Sequence, residues 1–294
     1  MSIWQTIDRE ITAAMGRSFT TRRRTPVGGG SINRAYRLEG ANRSFFVKLN
    51  DADRLAMFEA EAAGLEEIRR AQVIKTPQPV CSGSDSDQAF LVLEWIPVTG
   101  TTGPSQELLG TQLAAMHRVT RREYGWYRNN TIGSTPQSNT PSATWNEFWK
   151  NQRLGFQLEL AGRNGYGNTL ARLGDRLMAR IDAFFVDYAP AASLVHGDLW
   201  SGNHGADEHG NPVIFDPAVY YGDRETDIAM TELFGGFTKR FYHAYQAAYP
   251  LDAGYKVRRT LYNLYHILNH LNIFGESYLH QAETMIQQLL SEID

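Results

Sequence analysis

The residues best suited to chemistry lie in Leu194-Val195-His196-Gly197-Asp198-Leu199-Trp200-Ser201-Gly202-Asn203 and in Val213-Ile214-Phe215-Asp216-Pro217. Asp198 and Asn203 stand five apart on a loop opened by a short apolar run. Asp216 closes the next apolar run, after a Glu208-His209-Gly210-Asn211 turn. Such a set suits phosphoryl transfer. One carboxylate can orient an attacking hydroxyl and accept its proton, while an amide oxygen and a second carboxylate hold Mg2+ against ATP. A metallohydrolase site built from His196, Asp198, His204 and His209 is the rival, but those spacings suit no helix face. Read only as loop and turn formers, His-Gly-Asp and Asp-Pro would leave the combined spacing unexplained.

Two upstream features fit the same chemistry. Gly28-Gly29-Gly30-Ser31 is the densest glycine cluster in the chain, and glycine lets backbone amides approach phosphate oxygens closely. A Rossmann loop would lead into a helix, whereas this one leads into a strand pattern. A Walker A loop would need Gly-Lys-Ser/Thr, which occurs nowhere in the chain. A glycine-rich turn between strands is the type that kinases lay over ATP phosphates. Lys48, within Phe45-Phe46-Val47-Lys48-Leu49, sits either on the solvent face of an alternating strand or beneath that turn as a phosphate ligand. In the helix that follows, Glu61 lies about 60° from the centre of the apolar stripe and Glu59 about 100°. Glu61 is therefore expected to face inward and pair with Lys48, so that neither is a buried lone charge.

The elements that must position these groups can be traced along the chain. Ile3, Trp4, Ile7, Ile11 and Met15 mark an opening amphipathic helix. Residues 34–38 and 44–49 flank a Gly40-Ala41-Asn42-Arg43 turn and read as a hairpin. Leu55, Phe58, Ala62, Leu65 and Ile68 define a second helix, and Ala89-Phe90-Leu91-Val92-Leu93 a buried strand. From Pro97 to Gly103 the composition turns to Pro, Gly and Thr, which places a boundary near residue 97. Beyond it, 129–144 reads as a polar loop, 193–216 as a short β region, and 145–160, 168–188, 227–249 and 255–293 as helices. The expected fold is α+β, with a strand-rich N-lobe over 1–96 and a mainly helical C-lobe over 97–294.

Composition narrows the surroundings. The 294 residues are 42% hydrophobic and 21% charged, enough for a substantial core. With 29 Lys and Arg against 32 Asp and Glu, the chain does not advertise a nucleic-acid or membrane-surface partner. A single cysteine, Cys81, excludes an intrachain disulfide and suits a reducing compartment. The N-terminus carries no signal-peptide pattern and no apolar run is long enough to span a bilayer, so a cytoplasmic protein is expected. The sequons at Asn42 and Asn129 are then chance.

Taken together, these segments resemble the kinase-fold small-molecule phosphotransferases, a group that includes aminoglycoside and choline kinases. Within it they are most similar to the fructosamine kinase (ketosamine-3-kinase) family. His196-Gly197-Asp198-Leu199 is shared by the broad group, whereas the full stretch from His196 to Asn203 is characteristic of the ketosamine branch. Gly29-Gly30-Ser31-Ile32-Asn33, Met57-Phe58-Glu59-Ala60-Glu61, Asn130-Thr131-Ile132-Gly133, Pro136-Gln137-Ser138-Asn139, Trp145 through Phe148, Arg153-Leu154, Gly222-Asp223-Arg224-Glu225 and Asn269-His270 through Phe274-Gly275 extend the likeness along nearly the whole chain.

The resemblance implies a two-lobed protein-kinase-like fold with ATP between the lobes. Asp198 would be the proton acceptor and Asn203 and Asp216 the Mg2+ ligands. Gly29, Gly30, Ser31 and Lys48 would take the phosphates, with Glu61 as the lysine's partner. Glu94, Trp95 and Ile96 resemble the hinge, where backbone groups of Glu94 and Ile96 would bind adenine. Trp200 and His270 fall where the family contacts its sugar, although His270, four residues after His266, also suits a core histidine. The implied activity is ATP-dependent phosphorylation of the 3-hydroxyl of a ketosamine, free or attached to a protein. A kinase for an aminoglycoside, choline or another small alcohol is the alternative, and a nucleotide-binding pseudokinase a further one. Some relatives carry a redox-switching cysteine in the glycine loop. Ser31 stands there in this chain, so no such switch is expected. Asp216-Pro217-Ala218 in place of Asp-Phe-Gly argues against an activation loop, and Asp227 is expected to brace the catalytic loop.

Overall fold

The computed structural model describes residues 2–28 and 32–294; Gly29, Gly30 and Ser31 of the expected phosphate turn lie outside the described residues. The chain begins with α1 (Ile3–Met15), β1 (Arg23–Val27), β2 (Arg34–Glu39), β3 (Ser44–Asp51), α2 (Leu55–Ala71), β4 (Pro79–Ser84), β5 (Gln88–Glu94) and α3 (Gly103–Met116). It continues through β6 (Thr120–Arg121), β7 (Asn130–Ile132), β8 (Thr135–Gln137), α4 (Trp145–Phe148), a π-helical segment Trp149–Leu154, α5 (Gly155–Arg163), α6 (Asn168–Met178) and β9 (Ala192–Val195). Last come β10 (His204–Ala206), β11 (Pro212–Ile214), β12 (Tyr220–Gly222), α7 (Glu225–Leu233), α8 (Lys239–Ala248), α9 (Tyr255–Phe274) and α10 (Leu279–Ser291). This is the strand-rich then helix-rich α+β order expected from the sequence. Among the described residues, no helix is long and apolar enough to cross a membrane.

Two compact units result, one of Met1–Ser105 with Gly202–Pro217, the other of Gln106–Ser201 with Ala218–Asp294. The first is built on an antiparallel sheet in the order β1-β2-β3-β5-β4. Successive side chains of a strand point to opposite faces, and β3 uses both. Phe45, Val47 and Leu49 pack with Ile3, Ile7 and Ile11 of α1, while the intervening Phe46 joins Phe58 and Leu65 of α2. Lys48 shares the Phe46 face and is only 5% exposed, so the solvent-face alternative for it does not hold. The β10–β11 hairpin belongs to this unit through two backbone seats. Thr99 and Ala206 exchange N–H···O bonds of 2.8 and 3.2 Å, and Ile214 N–H donates to Lys75 O at 3.0 Å.

The second unit contains the β12-β9-β6 sheet, the β7–β8 hairpin and a bundle in which α9 packs against α5, α7 and α10. Three expected helices turn out shorter. The stretch 227–249 breaks at Gly235 and Gly236, with φ of 73° and 94°, and 255–293 breaks at Gly275, with φ of 96°. Positive φ is incompatible with a continuing right-handed helix, and glycine adopts it without a Cβ clash. The stretch 168–188 leaves α-helix at Met178 and continues as a 3-10 turn over Ile181–Phe185. The polar loop 129–144 contains the β7–β8 hairpin, turned at Gly133 with φ of 61°.

Candidate active site

In the first unit, the Lys48 ammonium bridges two carboxylates, Glu61 Oε1 at 2.7 Å and Asp216 Oδ1 at 2.6 Å. The helical spacing that singled out Glu61 is realised, while Glu59 is exposed. Burial works against the charge on Lys48, yet Asp216 and Glu61 together hold its pKa above the ordinary lysine value. Burial raises the Glu61 carboxyl against the pull of Lys48, and Asp216 pushes the same way. One cation is thus shared between two anions, of which Asp216 is the more exposed, its side chain being 43% accessible. Lys48 is the fixed positive centre of the group.

The β10–β11 hairpin explains why Asn203 and Asp216 come together across twelve intervening residues. His204 pairs with Ile214, and Phe215 N–H donates to Asn203 O at 3.0 Å, so Asn203 and Asp216 flank the open end of one ladder. Asp216 leaves β11 with φ of 57°, a left-handed conformation that Asp tolerates better than most side chains. The closed end is tied by Asp207, which accepts from Lys75 Nζ at 2.9 Å and from the N–H groups of His209 and Asn211 at 3.0 and 2.9 Å. The Lys75 contact is the first cause of a carboxyl held well below the usual range.

A carboxylate and an amide are hard oxygen donors, and they fit Mg2+, which retains waters and phosphate oxygens and needs few protein groups. Among the described residues, no group of three His, Cys, Asp or Glu could hold a metal by itself. His209, which the metallohydrolase reading needs, projects from the turn into solvent.

At the end of β5, Glu94 N–H donates to Gln78 O at 2.8 Å. The Trp95 ring lies 6.3 Å from Phe46 and 4.7 Å beneath the Arg37 guanidinium. Ile96 is buried and makes no backbone hydrogen bond among the described residues. Buried backbone groups are ordinarily paired, so this stretch suits a ligand that supplies a donor and an acceptor edge.

In the second unit the catalytic-loop sequence is clamped through its backbone. Gly197 has φ of 82°, and a Cβ there would lie 2.2 Å from Ala218 O, so only glycine fits. Ala218 N–H donates to His196 O at 2.8 Å. Asp227 accepts from His196 N–H at 2.7 Å and Gly197 N–H at 2.8 Å, and also meets His117 Nε2 at 3.1 Å. Burial opposes its charge, but these contacts, with His117 foremost, hold the carboxyl below its ordinary value. Asp227 is thus the brace that its place in the sequence suggests. Asp198 is half-buried, its own N–H directed at His196 Nδ1 at 3.3 Å.

A buried polar network, whose function the sequence did not reveal, grips the chain just after Asp216. Asn130 Nδ2 donates to Val219 O at 2.8 Å, and Gln137 Nε2 donates to Ala218 O at 3.1 Å and to Asn130 Oδ1 at 2.8 Å. Tyr265 O–H donates to Gln137 Oε1 at 2.7 Å, while the fully buried Arg153 holds Asn139 Oδ1 at 2.7 Å. The quoted motifs around 130–139 and Arg153 therefore have a common physical purpose.

Trp200 and His270 are linked through a residue that sequence reasoning missed. Phe234 lies 6.4 Å from the Trp200 ring and 5.0 Å from His270. His270 Nδ1 is 2.8 Å from His266 O, and a carbonyl only accepts, so Nδ1 carries the proton. Burial lowers the His270 pKa and keeps the ring neutral. The available signal for Phe234 was the Gly235-Gly236 pair directly after it, which marks an enforced turn.

The sequence profile described as fructosamine kinase matches residues 3–292. A "probable ketoamine kinase" of Synechocystis sp. is 45% identical over 288 residues, 98% of this chain and 97% of its own length. The chloroplastic protein-ribulosamine 3-kinase of Arabidopsis thaliana is 43% identical over 268 residues, 90% of this chain and 81% of the relative. A crystal structure from Haemophilus somnus 129PT that carries the fructosamine-3-kinase name superposes with a TM-score of 0.90 at 27% identity, covering 98% of this chain and 97% of that one. A Streptococcus pneumoniae choline kinase, at 13% identity and a TM-score of 0.66 over 98% of both chains, shares the two-lobed kinase-like fold alone. With a family profile running almost end to end and relatives above 40% identity, the chain belongs to the fructosamine kinase family.

Proposed function

We propose that this protein transfers the γ-phosphoryl group of ATP to the 3-hydroxyl of a ketosamine, the adduct of a sugar and an amine. The observation that carries the reading is the charged group Lys48, Glu61 and Asp216, preassembled within hydrogen-bond distance in a member of this family. Lys48 would bind phosphate oxygens, with Glu61 keeping its ammonium aimed. Gly29, Gly30 and Ser31 are assigned to the phosphates by sequence alone, and the backbone of Glu94 and Ile96, beside Trp95, to adenine. Asn203 and Asp216 would hold Mg2+, whose chemistry when bound is to neutralise phosphate charge.

Asp198 orients the hydroxyl and takes its proton as the O3–P bond forms and the bond from phosphorus to the β–γ bridging oxygen breaks. Alignment and charge neutralisation carry most of such a reaction, so the bracing of His196 and Gly197 by Asp227 counts directly. Trp200 and His270 would contact the sugar. The new 3-phosphate is a far better leaving group than hydroxide, so elimination beside the C2 carbonyl can then free the amine. The chemistry is one of deglycation.

Cys81 is partly buried in β4, with its thiol pushed up by burial to about 12, which suits a passive residue in a reducing cytoplasm. The test is incubation with Mg-ATP and a ribulosamine or fructosamine, assayed for ADP and a sugar 3-phosphate. ADP formation with an aminoglycoside or choline but with no ketosamine would move the assignment to another small alcohol. Nucleotide binding without turnover of any alcohol would make the protein a pseudokinase.

A further inference from the structure

We infer that Phe234 and Phe274 extend the substrate site into an aromatic strip that holds the substituent on the ketosamine nitrogen, so that the enzyme selects ketosamines of alkyl and aralkyl amines. The inference rests on the ketosamine reading above and adds a specificity that the reading does not contain. Its basis is a continuous line of rings from three separate chain segments. Trp200 meets Phe234 edge-on at 6.4 Å, Phe234 meets His270 at 5.0 Å, and His270 meets Phe274 at 5.4 Å and Tyr278 at 5.2 Å. Despite these contacts, Phe234 is 41% exposed and Phe274 49%. Two large aromatic rings left half in water along one line are surface available to a ligand rather than core.

The position of Phe234 is enforced. It caps α7, and the next two residues turn the chain back onto the catalytic loop. A Cβ on Gly236, at φ of 94°, would fall 2.3 Å from Ser201 Cβ, so the turn is in close contact with the residue after Trp200. Gln106 holds the same turn from behind, its Nε2 donating to Gly236 O at 3.4 Å and its Oε1 accepting from Thr238 N–H at 3.2 Å. The strip therefore starts two residues from Asp198 and leads away along the end of α9.

The chemistry of a ketosamine matches that layout. Its nitrogen is on C1, two carbons from the phosphorylated position, so the nitrogen's substituent leaves the sugar near the reacting oxygen. The secondary amine is protonated near neutral pH, and an ammonium with adjoining methylenes is favourable against aromatic faces. His270, kept neutral by burial, adds ring surface without repelling that charge. A lysine side chain or an arylalkyl amine would lie along Phe234 toward Phe274 and Tyr278.

The experiment compares ribulosamines made from methylamine, butylamine and phenethylamine, with kcat and KM measured for the wild type, Phe234→Ala and Phe274→Ala. In the wild type KM should fall by about tenfold from the methyl to the phenethyl arm, the effect of a few buried carbons. Each alanine variant should flatten that gradient, raising KM most for the phenethyl substrate, with the change in KM exceeding that in kcat. Melting temperature and KM for ATP identify a variant that is merely misfolded. Should Phe234→Ala fail to fold, Phe274→Ala at the half-exposed end of α9 decides alone. A flat wild-type series, or a gradient that survives in the folded variants, overturns the strip and leaves the ketosamine reading intact. No turnover of any ketosamine overturns both.

Discussion

The two units handle their residues by opposite means. In the first, an ammonium is locked between two carboxylates, with a second ion pair, Lys75 and Asp207, fastening the hairpin that carries Asn203 and Asp216. In the second, the loop that carries Asp198 is held by its backbone: His196 and Gly197 hang on Asp227, Ala218 is bonded to His196, and neutral amides of Asn130 and Gln137 grip Val219 and Ala218, just before β12. The difference follows the proposed ligands. Triphosphate and metal are answered by charge, whose reach tolerates small displacements. A sugar hydroxyl must be answered by position, and a backbone clamp fixes position without adding a competing charge beside Asp198.

Substitutions can break this contrast. The largest effect should come from Asp198→Asn, which keeps the shape and removes the proposed proton acceptor: kcat is expected to fall by about 10³-fold, within the range for a lost general base. Calorimetry should find ATP binding unchanged; a matching loss of ATP affinity would erase the division of labour. Next, Lys48→Met should lower kcat/KM for ATP by about 10²-fold while KM for the ketosamine moves far less. Equal damage to both substrates would show that the charged group is not confined to phosphate handling.

Gly197→Ala tests the positional side. The added methyl meets Ala218 O on a backbone at φ of 82°, so a destabilisation of about 2–3 kcal/mol is expected in denaturant titrations, with kcat reduced and ATP affinity retained. The smallest effect is assigned to Asp207→Asn, which sharpens the charged side. Asp207 has a folded pKa depressed below its unfolded value, so its contribution is present above about pH 4 and is lost as the pH falls through the folded pKa. The wild type should therefore melt above the variant at pH 7, and the gap should close on acidification below pH 4. A gap independent of pH would assign the effect to shape rather than charge.

Much of this was legible because two periodicities meet at one point. Alternation along β3 put Lys48 opposite the α1 core, and helical spacing chose Glu61 over Glu59. Within the five-stranded sheet, the strands that escaped the sequence reading, β1 and β4, are its two edges. Their segments, Arg-Arg-Thr-Pro-Val and Pro-Val-Cys-Ser-Gly-Ser, carry the charges, prolines and polar residues that protect edges and erase the alternating signal. Tertiary seats were equally hidden. Nothing local in Lys75 or Thr99 announces a bond to Ile214 or Ala206, more than a hundred residues away. The breaks at Gly235, Gly236 and Gly275 were visible as residue types, but only the packing of the turn on Ser201 shows why Phe234 must stand where it does.

The segment that follows Asp216 has a consequence for control. From Pro217 to Thr231 every residue is buried, Tyr220, Tyr221 and Thr226 included, and only eight residues separate Asp216 from the start of α7. No side-chain hydroxyl in that stretch lies at the surface, and Lys48 bridges its two partners with groups of the protein itself. A switch by phosphorylation within this stretch would first require it to unpack.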